Sequence, residues 1–333
     1  MVAIVSGNSL GLSLTSLATL GQRGTQGAAG QGRNGEQAFV NLTNGNLVLQ
    51  DFDDKLVGRG LDISAARTYN SQGLLNDDNG DNWVVGAYGQ SVKLLSGTLG
   101  AASSTLVRVD RDGAAATYTW DAARSLYVSS AGAGAFDTIA YDATAQRLNW
   151  TDGDTGLQES YESTSLGRLL TAKDPAGNTL SYTYNADGTL QKIADANGET
   201  TYFDYTGTNL TQIRTEATGN VVLTRVRYAY DASNRLTSVT VDLTPDDNVV
   251  ADEKTYVTTY TYDGTSKRVA SVTQSDGTSL AFKYTLVGAD YRVSSVKTGD
   301  GRTTLYSYDT TNRATTVIDP MGLQTVYTYD ADH

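Results

Sequence analysis

Cysteine is absent from these 333 residues, and the single histidine is the last one, His333. Without cysteine there are no disulfides and no thiolate metal sites, and the redox compartment leaves no mark on the chain. With its one histidine at the terminus, the body of the fold cannot assemble a Ser-His or Cys-His nucleophile or a histidine-ligated zinc. Basic residues are scarce as well: 25 lysines and arginines stand against 37 acids, a formal charge of −12. That balance disfavours nucleic acid and anionic membranes as partners, since both are bound by clustered cations. No apolar run approaches the roughly 20 residues of a membrane-spanning helix. The first basic residue is Arg23, and Gly, Ser and Thr interrupt the apolar stretches before it, so a Sec signal is not expected. Residues 21–35 are rich in Gly, Gln and Asn and read as a flexible segment.

Tyrosine is abundant, 21 against five phenylalanines, and its placement is periodic. Tyr-x-Tyr followed by Asp or Asn recurs at Tyr182 and Tyr184, Tyr228 and Tyr230, Tyr260 and Tyr262, Tyr306 and Tyr308, and Tyr327 and Tyr329. Phe203 with Tyr205, and Phe282 with Tyr284, are variants; Tyr118 with Trp120, Tyr141 and Tyr161 are weaker copies upstream. The second aromatics fall at 120, 141, 161, 184, 205, 230, 262, 284, 308 and 329, in steps of 20 to 25 residues with one of 32. Such a period means structural units laid against one another rather than one closed core.

In a strand the two aromatics of Tyr-x-Tyr share a face and the residue between them takes the other. Turn residues follow, as in Asn185-Ala186-Asp187-Gly188, so the chain reverses there. A second apolar run comes next, with pairs such as Leu190 and Ile193, Leu236 and Val239, and Val293 and Val296. A spacing of three cannot lie on one face of a regular strand, which predicts a bulge or bend in it. Gly177, Gly198, Gly277, Gly301 and Gly322 each stand five residues before the next first aromatic, where a turn calls for positive φ. Each repeat is thus a β-hairpin whose aromatic face is too small to be buried alone. Packing between repeats is the preferred role for the fourteen aromatics from Tyr182 to Tyr329, ahead of stacking on sugar rings.

From Phe39 the chain reads FVNLTNGNLVLQ, with a hairpin signal at Asn44-Gly45, and later Arg67-Thr68-Tyr69-Asn70-Ser71. This segment resembles the opening of the repeat region in RHS (rearrangement hotspot) proteins. The units after Tyr118 resemble the YD repeats of the same superfamily, which includes bacterial polymorphic toxins, wall-associated proteins, the BC components of Tc toxins and teneurins. The likeness covers about residues 36–333. It implies a strand ribbon wound into a hollow shell that, in toxin members, encloses a carboxy-terminal effector. Toxin-bearing relatives end their shell with a self-cleaving aspartyl motif. Here Asp319-Pro320-Met321-Gly322 is followed by an ordinary repeat and reads as a turn, like Asp174-Pro175-Ala176-Gly177. A repeat ending at Asp330 without a cap would leave an open sheet edge, so a longer protein is expected.

Other candidate chemistry is weaker. Asp187, Asp195, Asp276, Asp300 and Asp319 could supply a glycosidase pair, but all occupy turn positions. The stretch Asn76–Asn82 alternates oxygen side chains around Gly80, yet lacks the bidentate Glu of a calcium loop and reads first as a solvated acidic loop. Residues 245–252 account for the 32-residue step and should protrude.

The expected architecture is all-β: a flexible segment over 1–35, a strand-rich cap over 36–110, and about ten YD hairpins over 111–333 forming a curved ribbon or part of a hollow shell. The expected function is structural and non-enzymatic, without cofactor or metal: the front of a larger shell that encloses or presents an effector in interbacterial competition. Its partners would be the carboxy-terminal shell and effector of the same chain, delivered by a non-Sec route or held in the cytoplasm beforehand. A surface adhesin or carbohydrate-binding module is the alternative, with a cell-surface glycan as ligand, and a glycan-cleaving enzyme comes third.

Overall fold

The structure is a computed structural model that describes residues 2–7, 10–12, 29–31, 35–58, 60–73, 79–129, 134–217 and 221–330. Most of the glycine-rich stretch 21–35, residues 74–78 of the acidic region, and His333 lie outside the described residues.

Two sheets make up the fold. The inner sheet contains β1 (Ala3–Val5), β2 (Gly30–Gln31), β3 (Glu36–Asn41), β4 (Leu47–Leu56), β5 (Ile63–Asn70) and β6 (Trp83–Val85). Its order is β1-β3-β4-β5-β6, with β2 also on β3; β1 runs parallel to β3 and the other pairs are antiparallel. The turn from β3 to β4 is the Asn44-Gly45 dipeptide, where Gly45 has φ 71°. That glycine is needed twice over, because a Cβ there would lie 2.3 Å from the Cβ of Arg292.

The long sheet begins with β7 (Ser91–Ser96), β8 (Thr105–Val109), β9 (Ala115–Asp121), β10 (Leu126–Val128), β11 (Thr138–Asp142), β12 (Arg147–Thr151), β13 (Gln158–Glu162) and β14 (Leu169–Lys173). It continues through β15 (Thr179–Tyr184), β16 (Leu190–Ala194), β17 (Thr200–Thr206), β18 (Asn209–Ala217), β19 (Val221–Tyr230), β20 (Leu236–Asp242) and β21 (Thr255–Tyr262). Its last strands are β22 (Val269–Gln274), β23 (Ser279–Val287), β24 (Asp290–Thr298), β25 (Thr303–Asp309), β26 (Ala314–Ile318) and β27 (Gln324–Thr328). Each strand pairs antiparallel with its sequence neighbour, so the sheet is one continuous ribbon. β7 and β8, within the stretch read from sequence as cap, are its first two strands.

The ribbon is not closed end to end, but its first turn is. Ser91 bridges Arg168, and the Val92 N–H donates to the Gly167 carbonyl at 2.9 Å, which brings β7 against the start of β14. Gly167 makes this seam possible: φ is 62°, and a Cβ would lie 2.1 Å from the Val92 carbonyl oxygen. Eight strands leave an interior just wide enough for side chains to fill. Here Leu106, Tyr118, Tyr127, Ile139, Leu148, Trp150, Tyr161 and Leu169 fill it as a core of its own. After β14 the ribbon opens and lies over the inner sheet. The two share a second core joining Val40, Leu47, Leu49, Tyr69 and Trp83 to Leu190, Ile213, Tyr228, Val239, Tyr260, Phe282 and Val296.

The bulge inferred from the apolar spacing is present where that spacing occurs. Tyr184 faces Leu190 while Thr183 faces Lys192, leaving one residue over on β16; the same slip occurs at Tyr161, Tyr205, Tyr230, Tyr262 and Tyr284. Tyr308 and Tyr306 face Thr315 and Val317, a spacing of two, and this pair of strands stays regular.

Candidate functional site

The bulge sorts the two aromatics of each repeat. The first of each pair, in Phe203, Tyr228, Tyr260, Phe282 and Tyr306, is buried and sits opposite the second apolar residue of the following strand. Tyr182 does the same opposite Ile193 and is half-buried. The second aromatics, Tyr184, Tyr205, Tyr230, Tyr262, Tyr284 and Tyr308, are half-buried and packed against the shared core. Tyr327 and Tyr329, in the last repeat, are also half-buried.

Four of these second tyrosines are held identically from the preceding repeat. The hydroxyls of Tyr184, Tyr262, Tyr284 and Tyr308 donate to the carbonyls of Leu169, Leu236, Val269 and Val293 at 2.7, 2.7, 2.8 and 2.8 Å. The residue just before each of those carbonyls is an arginine. Arg168, Arg235, Arg268 and Arg292 lie over the same four rings at 4.8, 4.7, 5.8 and 5.3 Å. The acid that follows the aromatic pair completes the arrangement. Glu162, Asp231 and Asp263 form salt bridges with Arg168, Arg235 and Arg268 at 2.6, 2.8 and 2.8 Å. The acid therefore orients an arginine of its own hairpin, and the arginine clamps the tyrosine of the next. Where the copy reads Phe-Lys-Tyr-Thr and has no acid, Arg292 donates instead to the Thr43 carbonyl of the inner sheet at 2.9 Å.

A charged junction joins the two sheets. Arg67, fully buried, lies 2.9 Å from Asp53, 3.6 Å from Asp51 and 3.8 Å from Glu36, all on the inner sheet. Its guanidinium stacks 5.0 Å over Trp83 and 5.5 Å over Tyr260, and donates to the Tyr260 hydroxyl. Ribbon tyrosines supply the remaining donors: Tyr260 O–H to Glu36 at 2.9 Å, and Tyr228 O–H to Asp53 at 2.7 Å. Burial pushes the Glu36 carboxyl up from 4.5 to about 7, against the pull of the nearby Arg67. Burial opposes the charge on Arg67, yet Asp53 and the other partners hold its pKa above the usual arginine range. The other residues of the Arg-Thr-Tyr-Asn-Ser motif are tied equally firmly. The Tyr69 hydroxyl accepts from Val269 N–H at 2.9 Å and donates to the Lys267 carbonyl at 3.0 Å. Asn70 donates to the Asp112 carbonyl at 2.9 Å, and Ser71 accepts from Leu47 N–H at 2.9 Å.

The acids considered for catalysis sit in turns. Asp187, Asp195, Asp276 and Asp319 accept backbone N–H groups of their own turns through Oδ1. Hydrogen bonds from Thr189 hold the Asp187 carboxyl below the usual range, the opposite of what a general acid requires. Asp81 is not part of a solvated loop: it is buried, accepting from Trp83 N–H at 2.9 Å and from Leu236 N–H of the ribbon at 3.2 Å. Among the described residues, no three His, Cys, Asp or Glu side chains are placed to hold a metal ion. No helix among them is long and apolar enough to cross a membrane. The insertion forms a 3₁₀ turn, Pro245–Asp247, and exposes Val249 and Val250.

Hairpins clamped one to the next, wound about a sheet from their own amino-terminal end, define an all-β repeat protein whose wall has distinct inner and outer faces. Residues 164–200, which span the first of these arginine clamps, match the family model of the RHS repeat. The chain thus carries an RHS repeat within an all-β, antiparallel ribbon. No curated protein matches it. Similar solved structures include a porin-like protein from Bacteroides uniformis ATCC 8492, at 14% identity and TM-score 0.29, covering 63% of this chain and 93% of that one. Two others are TcdB2-TccC3-TEV (12% identity, TM-score 0.31, 89% of this chain and 17% of that one) and TcdB2-TccC3 (10%, 0.32, 88% and 20%). The chain thus spans about a fifth of the length of each TcdB2-TccC3 chain.

Proposed function

We propose that this chain is a section of the wall of a hollow shell that encloses or presents an effector carried by the same polypeptide, in competition between bacteria. The observation that carries this reading is the direction of the ribbon's faces. Tyr228, Tyr260 and Phe282 point inward onto the inner sheet, while Ala229, Thr261 and Lys283 of the same strands are exposed. The fourteen repeat aromatics then act as packing rather than as ligand platforms. In support, the exposed aromatic side chains among the described residues are Phe52, Phe136 and Tyr291, all outside that set. The first turn is filled by its own side chains and the described strands after it pack on the inner sheet, so this section serves as wall rather than as cargo space.

Limited proteolysis of the full-length gene product tests this. Any segment encoded beyond His333 should resist protease while the ribbon is folded, and should be cut rapidly in a Tyr228→Ala, Tyr260→Ala variant that loosens the wall. Equal cutting rates in the two proteins would remove enclosure as a function.

A further inference from the structure

The inner sheet stops at β1, and the ribbon does not. Among the described residues no strand pairs with the outer edge of β1. The Val5 carbonyl accepts Leu42 N–H at 2.8 Å on the β3 side, so alternation along the strand turns the N–H and C=O of Ile4 toward the open edge. The side chains of Val2 and Ile4 face the ribbon and join the shared core, while Ala3 and Val5 pack on the other face of the sheet. Past this edge lies a groove of about 710 Å³ between Val2 and Ile4 on one side and β23 to β27 with their turns on the other. Its floor is apolar and continues the core beneath the inner sheet: Tyr306, Val317 and Tyr327 line it. Under the sheet Tyr260 and Phe282 are 3% and 4% exposed, whereas Tyr327, beyond it, is only half-buried. The rim, formed by the turns at one end of these strands, presents Asp276, Asp300 and Asp319 with a single guanidinium, Arg302, which is paired with Asp300 at 2.8 Å, so the rim keeps an excess of negative charge.

We propose that the edge of β1 and this groove accept an extended strand from a partner polypeptide, apolar at alternate positions and cationic at the end that meets the turn rim. Backbone groups of Ile4 pair with the incoming strand, its alternate side chains enter the groove above Tyr306, Val317 and Tyr327, and its cation meets the net-acidic rim. The added strand extends the inner sheet by one position and continues an interface the chain already makes with itself. This holds whether or not the ribbon encloses an effector.

The probe is a short acetylated peptide of alternating valine and threonine with a lysine at one end, titrated calorimetrically into the full chain. Saturable binding is expected, with slowed amide hydrogen exchange in residues 2–5. The same peptide N-methylated at alternate residues, which keeps its side chains but loses its strand-pairing donors, should bind about tenfold more weakly or not at all. Val317→Asp should weaken binding by a similar factor. Absence of binding, unchanged affinity of the N-methylated peptide, or protection elsewhere than residues 2–5 would each overturn the proposal.

Discussion

A tyrosine of the repeats takes a role set by its place in the pair. From Tyr182 onward the first ring packs into the shared core, and in four repeats the second is held by the neighbouring repeat through a hydroxyl bond and an arginine. Tyr308→Phe removes only the bond to the Val293 carbonyl and should cost about 1 kcal/mol in urea unfolding, whereas Tyr308→Ala, which also deletes the ring, should cost about 3 kcal/mol. Equal losses in the two variants would mean the hydroxyl carries the whole contribution. At the junction, Arg67→Met leaves Glu36, Asp51 and Asp53 buried without their cation and should destabilise by roughly 3–5 kcal/mol. Glu36 adds a pH dependence. Its carboxyl binds a proton more tightly in the folded state, so folding is favoured at low pH, and that contribution is lost as pH rises from 4.5 through about 7. The difference is on the order of 3 kcal/mol, and Glu36→Gln should flatten the stability curve across this window. A wild-type curve already flat there would show that Glu36 titrates normally.

Among the elements, the bulged strands were legible in the sequence and the seam was not. A Leu-x-x-Ile spacing conflicts with the two-residue period of a strand, and geometry resolves the conflict only by inserting a residue, so the bulge follows from local pattern alone. The turn glycines are legible for the same reason. Gly167 is different, because its necessity comes from the Val92 carbonyl, 75 residues away in the chain, which no local pattern reveals. The clamping arginines were open to discovery: each directly precedes the first apolar residue of a second strand, and aligning the repeats on that residue brings Arg168, Arg235, Arg268 and Arg292 into one column. Burial of Arg67 and Asp81 was hidden, since a charged side chain looks solvated until the surface that covers it is known. Gly167→Ala should open the seam, with faster hydrogen exchange at Val92 and a loss of about 2 kcal/mol or more. Gly198→Ala, where a Cβ meets open space and only the φ of 93° is strained, should cost about 1 kcal/mol.

For the molecule as a whole, two cores imply two unfolding events. The three tryptophans divide between them: Trp83 belongs to the core shared by inner sheet and ribbon, and Trp150 and Trp120 to the first turn. Trp83→Phe should therefore leave a fluorescence transition that reports on the first turn alone, at a denaturant concentration different from that of the whole-chain circular dichroism change. Coincident midpoints would mean that the two cores melt as one unit.

The inner sheet has a temporal consequence as well. Its strands, from Ala3 to Val85, leave the ribosome before any strand of the ribbon does. Every residue that Tyr228 and Tyr260 meet at the junction, Arg67, Glu36 and Asp53, is therefore synthesised before them, and the junction closes only when the ribbon arrives.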